Sequence, residues 1–268
     1  MSFLMESLKF TLKLDFGIQF GFYVVSALAK RTEIAYDLSG CLTFLACTLS
    51  SLLRKDSLHP RQLIASALVV TWSTRLGAML FSRILKLGED KRFDKFKKNS
   101  LTFAIPWFMQ GVWIFLTALP VYIVLGNNSK QNPLSTLDFI GLAMWIFGFG
   151  VEVIADSQKN KFKTLHPDDF VNTGIWKYSR YANYNGEITL WFGLFLFCVN
   201  GFQDSWQLAS VISPIFVAHL IINISGVKLL EKSANKKYGH REDYKLYTRT
   251  TSKFFLWPQK KLSSKKTE

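Results

Sequence analysis

The stretch Arg180-Tyr181-Ala182-Asn183-Tyr184-Asn185-Gly186-Glu187 packs an arginine, two asparagines, two tyrosines and a glutamate into eight residues, and about fifteen apolar residues follow from Ile188. Such a string sits where a membrane segment meets water. Polar side chains there can grip a charged cofactor while the apolar run anchors them in lipid. A buried carboxylate such as Glu187 is costly unless paired. An ordinary polar loop would read the same way, so the octapeptide needs company to carry chemistry.

Company comes from upstream. Glu152 and Asp156 are four apart and share a helix face. Two acids on one face repel unless cations or hydroxyl-rich ligands lie between them, and a ribose offers such hydroxyls. Lys159 and Lys163 lie near that face and suit phosphates; a solvated helix end with Asp and Lys at that spacing is the plainer alternative. Asp90, Lys91 and Arg92 form a second charged group, and arginine is the better fork for a phosphate monoester. Asp37 and Arg75 fall inside apolar segments. Intramembrane ionisable residues are functional candidates because lipid makes them expensive, although these two could simply pair with each other.

Other chemistries find no support. A GxGxxG after a strand, a P-loop, HExxH and GxSxG are all absent, and Gly148-Phe149-Gly150 lies in an apolar helix without a third glycine. His59, His166, His219 and His240 do not cluster, so no metal site is expected. Cys41, Cys47 and Cys198 lie in apolar segments without ligand spacing and read as small fillers. No cleavable signal peptide is evident at the N-terminus.

The elements that must position these residues follow from hydropathy. Of 268 residues, 49% are hydrophobic and 15% aromatic. Apolar runs near bilayer-crossing length recur at about Phe10–Ala29, Ile34–Leu53, Gln62–Leu85, Leu101–Leu125, Leu137–Ala155, Ile188–Gly201 and Leu208–Leu230. The expected fold is therefore all-α: a polytopic integral membrane bundle of about seven transmembrane helices in a single domain. Residues 10–85 supply the first three helices, 86–230 helices four to seven with their loops, and 231–268 a basic tail. Gly17 and Gly21 form a GxxxG pair, whose spacing allows close helix approach. Pro106 and Pro120 fall inside the fourth segment, where neighbouring helices can satisfy the freed carbonyls.

The net charge of +14 could suggest nucleic acid, but its distribution argues against that partner. Two thirds of the Lys and Arg fall in 86–98, 157–183 and 231–268, as the positive-inside rule predicts for cytosolic loops. Seven spans then put the N-terminus in the lumen and the C-terminus in the cytosol, with the basic 54–61 loop the weak point. Lys265 and Lys266 stand in dilysine register, an endoplasmic-reticulum retrieval signal read by the COPI coat. Asn127-Asn128-Ser129 is a glycosylation sequon in a loop this topology makes luminal.

In order and spacing, these residues resemble the steroid 5-alpha-reductase-like family of membrane reductases. The resemblance runs over roughly 35–260. It takes in Arg75, Arg83, Gly88-Glu89-Asp90-Lys91-Arg92-Phe93, Trp107, Gln110, Asp156-Ser157-Gln158-Lys159 and Gly174-Ile175-Trp176-Lys177-Tyr178-Ser179-Arg180. It continues through Asn183-Tyr184, Gly186-Glu187, Trp191, Lys237-Tyr238-Gly239, Tyr244, Tyr247 and Trp257-Pro258. The resemblance implies a seven-helix bundle whose cytosolic half binds NADPH and whose substrate is a sterol-like or other lipid in the membrane. Carried onto this chain, Glu152, Asp156, Lys163, Tyr178, Arg180, Asn183 and Glu187 become cofactor contacts, with Tyr244 and Tyr247 closing the pocket. Arg180-Tyr181-Ala182-Asn183-Tyr184 departs from the Arg-His-Pro-Asn-Tyr usual in the poorly characterised branch this chain most resembles. The glutamate and tyrosine that polarise a steroid ketone are not clearly matched, and Asp37 lies in the corresponding second helix without being the same residue. Isoprenylcysteine carboxyl methyltransferases, which bind S-adenosylmethionine, share an Arg-His-Pro-x-Tyr…Glu motif and are the alternative enzyme. A non-catalytic lipid-binding membrane protein is the third reading.

Overall fold

A computed structural model describes residues 2–29, 31–127 and 130–260. Lys265 and Lys266 lie outside these residues, as do Asn128 and Ser129 of the sequon. Every regular element among the described residues is helical: α1 (Ser2–Leu28), α2 (Tyr36–Leu53), α3 (Pro60–Leu87), α4 (Ser100–Thr117), α5 (Leu119–Gly126), α6 (Thr136–Leu165), α7 (Ala182–Val199), α8 (Ile212–His219), α9 (Val227–Tyr238) and α10 (Glu242–Thr250). Among the described residues, five stretches are long and apolar enough to cross a membrane: α2, α3, α4, α6 and the run Ser205–Tyr238. About seven were expected from the sequence. Segments one and six are helical, within α1 and α7, but polar residues lower the hydropathy of those helices: Lys13, Asp15 and Gln19 inside segment one, and Asn183, Asn185 and Glu187 in the part of α7 that precedes segment six.

Local sequence explains the boundaries. His59 caps α3, accepting from the Arg61 amide at 3.2 Å while Gln62 reaches back to the His59 amide at 3.0 Å, and Pro60 occupies the first turn. Gly88 ends α3 at φ 77°, a conformation glycine adopts without steric cost. Asn99 caps α4 through the Thr102 amide at 2.9 Å. The expected fourth segment is two helices, because Pro120 cannot donate to the ladder and the chain restarts after Ala118. The seventh is also irregular, passing from a 3₁₀ stretch (Ser205–Val211) through α8 and a π turn (Leu220–Ile224) into α9.

The chain divides into two units, with α6, α7 and α8 each contributing to both. The first comprises residues 1–141 and 194–213, the second 142–193 and 214–268. In the first, Phe44 meets Trp72 and Trp113 edge-on at 5.3 and 5.0 Å. A Cβ on Gly77 would lie 2.8 Å from Cys41 Cβ, so α2 and α3 pack closely there; nothing lies within 4 Å of one on Gly17 or Gly21, so the GxxxG pair mediates no contact.

This unit handles two buried acids oppositely. Arg61 and Asp138 are both 0% exposed and joined at 2.6 and 3.1 Å. The guanidinium also donates to Gln131 Oε1, Asn132 O and Pro133 O, and the carboxylate accepts from Ser135 N at 2.8 Å and Asn200 Nδ2 at 3.0 Å. Asp15 is equally buried, yet neither of its oxygens has a hydrogen-bond partner among the described residues. Breaking a satisfied buried pair costs about 3–5 kcal/mol, because the surviving charge is stranded. Asp138→Asn should therefore lower the thermal midpoint in detergent sharply, whereas Asp15→Asn should leave it unchanged or raise it. Equal losses from both would overturn this assignment.

Candidate functional site

The second unit is built on a helix crossing without side chains between the backbones. A Cβ on Gly148 would lie 2.6 Å from both Gly186 O and Leu190 N, and one on Gly186 would lie 2.7 Å from Glu152 N. Only hydrogen fits at either position, so α6 and α7 touch main chain to main chain. The Gly148-Phe149-Gly150 run, which has no nucleotide-loop character, thus has a packing function through its first glycine alone; nothing lies within 4 Å of a Cβ on Gly150.

The crossing aligns the polar residues of both helices. Glu152 is 2% and Asp156 9% exposed. Asn183, in the first turn of α7, donates from Nδ2 to Asp156 Oδ1 at 3.1 Å. Its own Oδ1 is buried without a hydrogen-bond partner among the described residues, as is Nε of Arg180. Arg180 Nη1 donates to Glu231 Oε1 at 3.3 Å, and Lys253 Nζ binds the other oxygen of Glu231 at 3.0 Å. Tyr184 and Glu187 are half-buried on α7, Tyr184 stacking on Tyr181 at 6.1 Å; Tyr178 is exposed.

The 166–181 segment is fixed against α6. Gly174, at φ 58°, allows the turn in which Ile175 N donates to Gln158 Oε1 at 2.8 Å. Trp176 Nε1 donates to Ala155 O at 3.0 Å, and Lys159 Nζ sits 5.6 Å from the Trp176 ring. The Lys163 ammonium donates to the carbonyls of Pro167 and Asp169 and to Tyr238 Oη, so in this structure it closes the loop after α6.

Tyr244 and Tyr247 pack with Phe170 and Tyr238 in a buried aromatic cluster. Tyr247 Oη donates to Trp176 O at 2.8 Å, Tyr244 Oη to Asn235 Oδ1 at 3.3 Å. Burial pushes both phenols up from their ordinary range, so both remain neutral donors at physiological pH. These tyrosines hold α10 against the 170–176 segment.

Three expected site residues belong to the first unit. Asp37 binds Arg83 at 3.3 Å and Arg92 at 3.9 Å. Arg75 is half-buried on α3. Arg92 also grips Asp90 at 2.5 Å; burial would push that carboxyl up, but the hydrogen bonds and charge of Arg92 outweigh it and hold it below the usual range. Glu33, not anticipated from sequence, completes this network. It accepts from Asp90 N and from Lys97 Nζ, each at 2.6 Å, and its only sequence signal was an acid beside the first turn. Asp15 was likewise missed, although a lone acid inside an apolar run was the available signal. Among the described residues no group of acids, histidines and cysteines could hold a metal ion.

The helices define a multi-pass helical membrane protein class, and sequence comparison supplies the family. A family model described as a protein of unknown function (DUF1295) matches residues 22–251, and the chain belongs to that family. It is also 24% identical over 227 residues to an uncharacterized protein of Schizosaccharomyces pombe, a match covering 73% of this chain and 63% of that protein's length. No solved structure matches the chain.

The two glycines of the crossing regions offer a direct comparison. Gly186→Ala inserts a methyl against backbone and should cost about 1–3 kcal/mol, the usual penalty for overpacking. Gly150→Ala meets open space and should be neutral or stabilising through helix propensity. Thermal unfolding of the two variants separates these outcomes; a tolerated Gly186→Ala would mean that α6 and α7 can part.

Proposed function

We propose that the second unit binds NADPH and that the protein reduces a carbon–carbon double bond in a sterol-like or other lipid within the membrane. One observation carries the proposal: an asparagine bonded to a buried aspartate, near a second buried acid and a half-buried arginine, at the polar first turn of α7. The orphaned Asn183 Oδ1 and Arg180 Nε are the edges such a cofactor would complete. The likeness to the steroid 5-alpha-reductase-like family supports the same reading.

The donor set fits the group. Asp156 and Glu152 suit ribose hydroxyls, Asn183 offers an acceptor, Arg180 and Lys159 suit phosphate oxygens, and Tyr178 and Tyr184 offer faces for stacking. Glu187 would hold the first turn of α7 toward the cofactor. Lys163 serves the 2′-phosphate only by exchanging its carbonyl partners, and Lys159 is a second candidate cation on the same helix. NADPH supplies the hydride for one alkene carbon, and the protein orients the lipid and delivers a proton to the other. Asp37, Arg75 and Arg92 belong to the first unit and are assigned no role in this site. On this reading the basic loops and the tail face the cytosol, where NADPH is abundant, and the membrane is that of the endoplasmic reticulum.

Equilibrium binding to the purified protein tests the proposal. NADPH should bind saturably, and Asn183→Ala should weaken it up to about tenfold, the upper end for one neutral hydrogen bond. Glu187→Gln should abolish turnover while the unfolding midpoint stays near wild type. Saturable S-adenosylmethionine binding without NADPH binding would replace the reductase with a methyltransferase, and binding of neither would favour a non-catalytic lipid-binding protein.

A further inference from the structure

After α10 the chain runs without helix to Lys260, yet it is fixed along its length. Ser252 O accepts from Arg180 N at 2.9 Å, Phe254 O accepts from Ser179 Oγ at 2.8 Å, and Trp257 N donates to Tyr178 O at 3.2 Å. Lys260 N returns to Thr250 O at 2.9 Å. With its backbone so engaged, the strap turns two aromatic side chains outward: Phe255 is 73% and Trp257 68% exposed. These rings, with Arg249, Lys253 and Lys260, line a cavity of about 500 Å³ whose lining includes no acid. Lys253 is bound to Glu231, whereas Arg249 and Lys260 make no ion pair among the described residues.

The depth of the strap follows from its attachment. Residues 178–180, to which it is bonded, immediately precede α7, and the apolar run of α7 begins at Ile188. Six residues separate Ala182 from Ile188, about 9 Å at the helical rise. The headgroup layer on each side of the hydrocarbon is about 5–8 Å thick, so with the apolar run of α7 in lipid the strap lies at its outer edge. Tryptophan is enriched at that depth, and lysine and arginine there meet anionic lipid. Exposed rings are costly in water, and rings with cations beside them are favourable in that layer.

We propose that this face binds the headgroup of an anionic phospholipid, with Arg249 and Lys260 on its phosphate and Trp257 and Phe255 in the interface beside it. The site does not depend on the reductase reading. Full-length protein purified in neutral detergent is titrated with short-chain phosphatidylglycerol, and its thermal midpoint is followed without NADPH. Phosphatidylglycerol should raise the midpoint saturably and phosphatidylcholine should not. Arg249→Gln with Lys260→Gln spares the Glu231–Lys253 pair and should weaken the apparent affinity about tenfold or more. The same double change at Lys86 and Lys98, in another basic stretch, should leave it unaltered. Three results overturn the proposal: no response to phosphatidylglycerol, an equal loss in the Lys86 and Lys98 variant, or the same shift with inorganic phosphate alone.

Discussion

Close approach of α6 and α7 is the constraint on which the candidate site depends. Two helices carrying ordinary side chains keep their axes about 8–10 Å apart, too far for short polar side chains on both to meet reliably. Removing the side chain at Gly148 and Gly186 lets backbone meet backbone, and one to two turns away Asp156 and Asn183 fall within hydrogen-bond distance. In lipid this geometry matters more than in water, since apolar helix faces gain little by leaving lipid for one another and packing must supply the association. The glycines set the distance, and the polar pair then specifies the register.

Polar groups inside an apolar body take two forms here. Arg61 and Asp138 are saturated: the guanidinium and carboxylate spend their hydrogen-bonding capacity on each other and on the loops at 131–135 and residue 200, which is what makes a fully buried pair tolerable. Such a pair has little capacity left for a ligand and serves to pin the ends of α3 and α6. Asn183 and Arg180 are incomplete: each makes one good interaction and keeps a buried atom unpartnered among the described residues. Incomplete satisfaction costs free energy in the folded state, and a ligand able to restore it gains that amount as affinity.

Hydropathy alone made the helical, multi-pass class legible, because apolar run length reports directly on bilayer thickness. Helix count was less legible. Whether Phe10–Ala29 and Ile188–Gly201 cross depends on how Lys13, Asp15 and the polar first turn of α7 are accommodated, and run length does not encode that. The break at Ala118 was available in Pro120 but masked by the apolar residues on either side. Spacing brought Glu152 and Asp156 to one face, and the octapeptide flagged Asn183, yet nothing local connects residue 156 to residue 183. That link needs the glycine crossing, and a glycine's role is visible only when its neighbour is known. For the same reason Gly17 and Gly21 looked like a packing motif and are not, while Gly148 looked like a failed nucleotide loop and is the packing motif.

Tyr244 and Tyr247 show how a site can depend on residues that need not touch its ligand. Their hydroxyls are committed to Asn235 and to the Trp176 carbonyl, and their rings to Phe170 and Tyr238. Trp176 in turn bonds Ala155, the residue before Asp156, and carries Lys159 beside its ring. A chain of contacts therefore runs from α10 through the 170–176 segment to the acids of α6. Lys163 belongs to the same chain, since its ammonium closes the loop that delivers Phe170 to the tyrosines. In this structure these residues brace the acids, and changing them would displace Glu152 and Asp156 without removing either carboxylate. Discriminating brace from contact rests on chemistry: Tyr247→Phe removes one hydrogen bond to a backbone carbonyl and leaves the aromatic packing, so a brace tolerates it far better than a residue whose hydroxyl must reach a ligand.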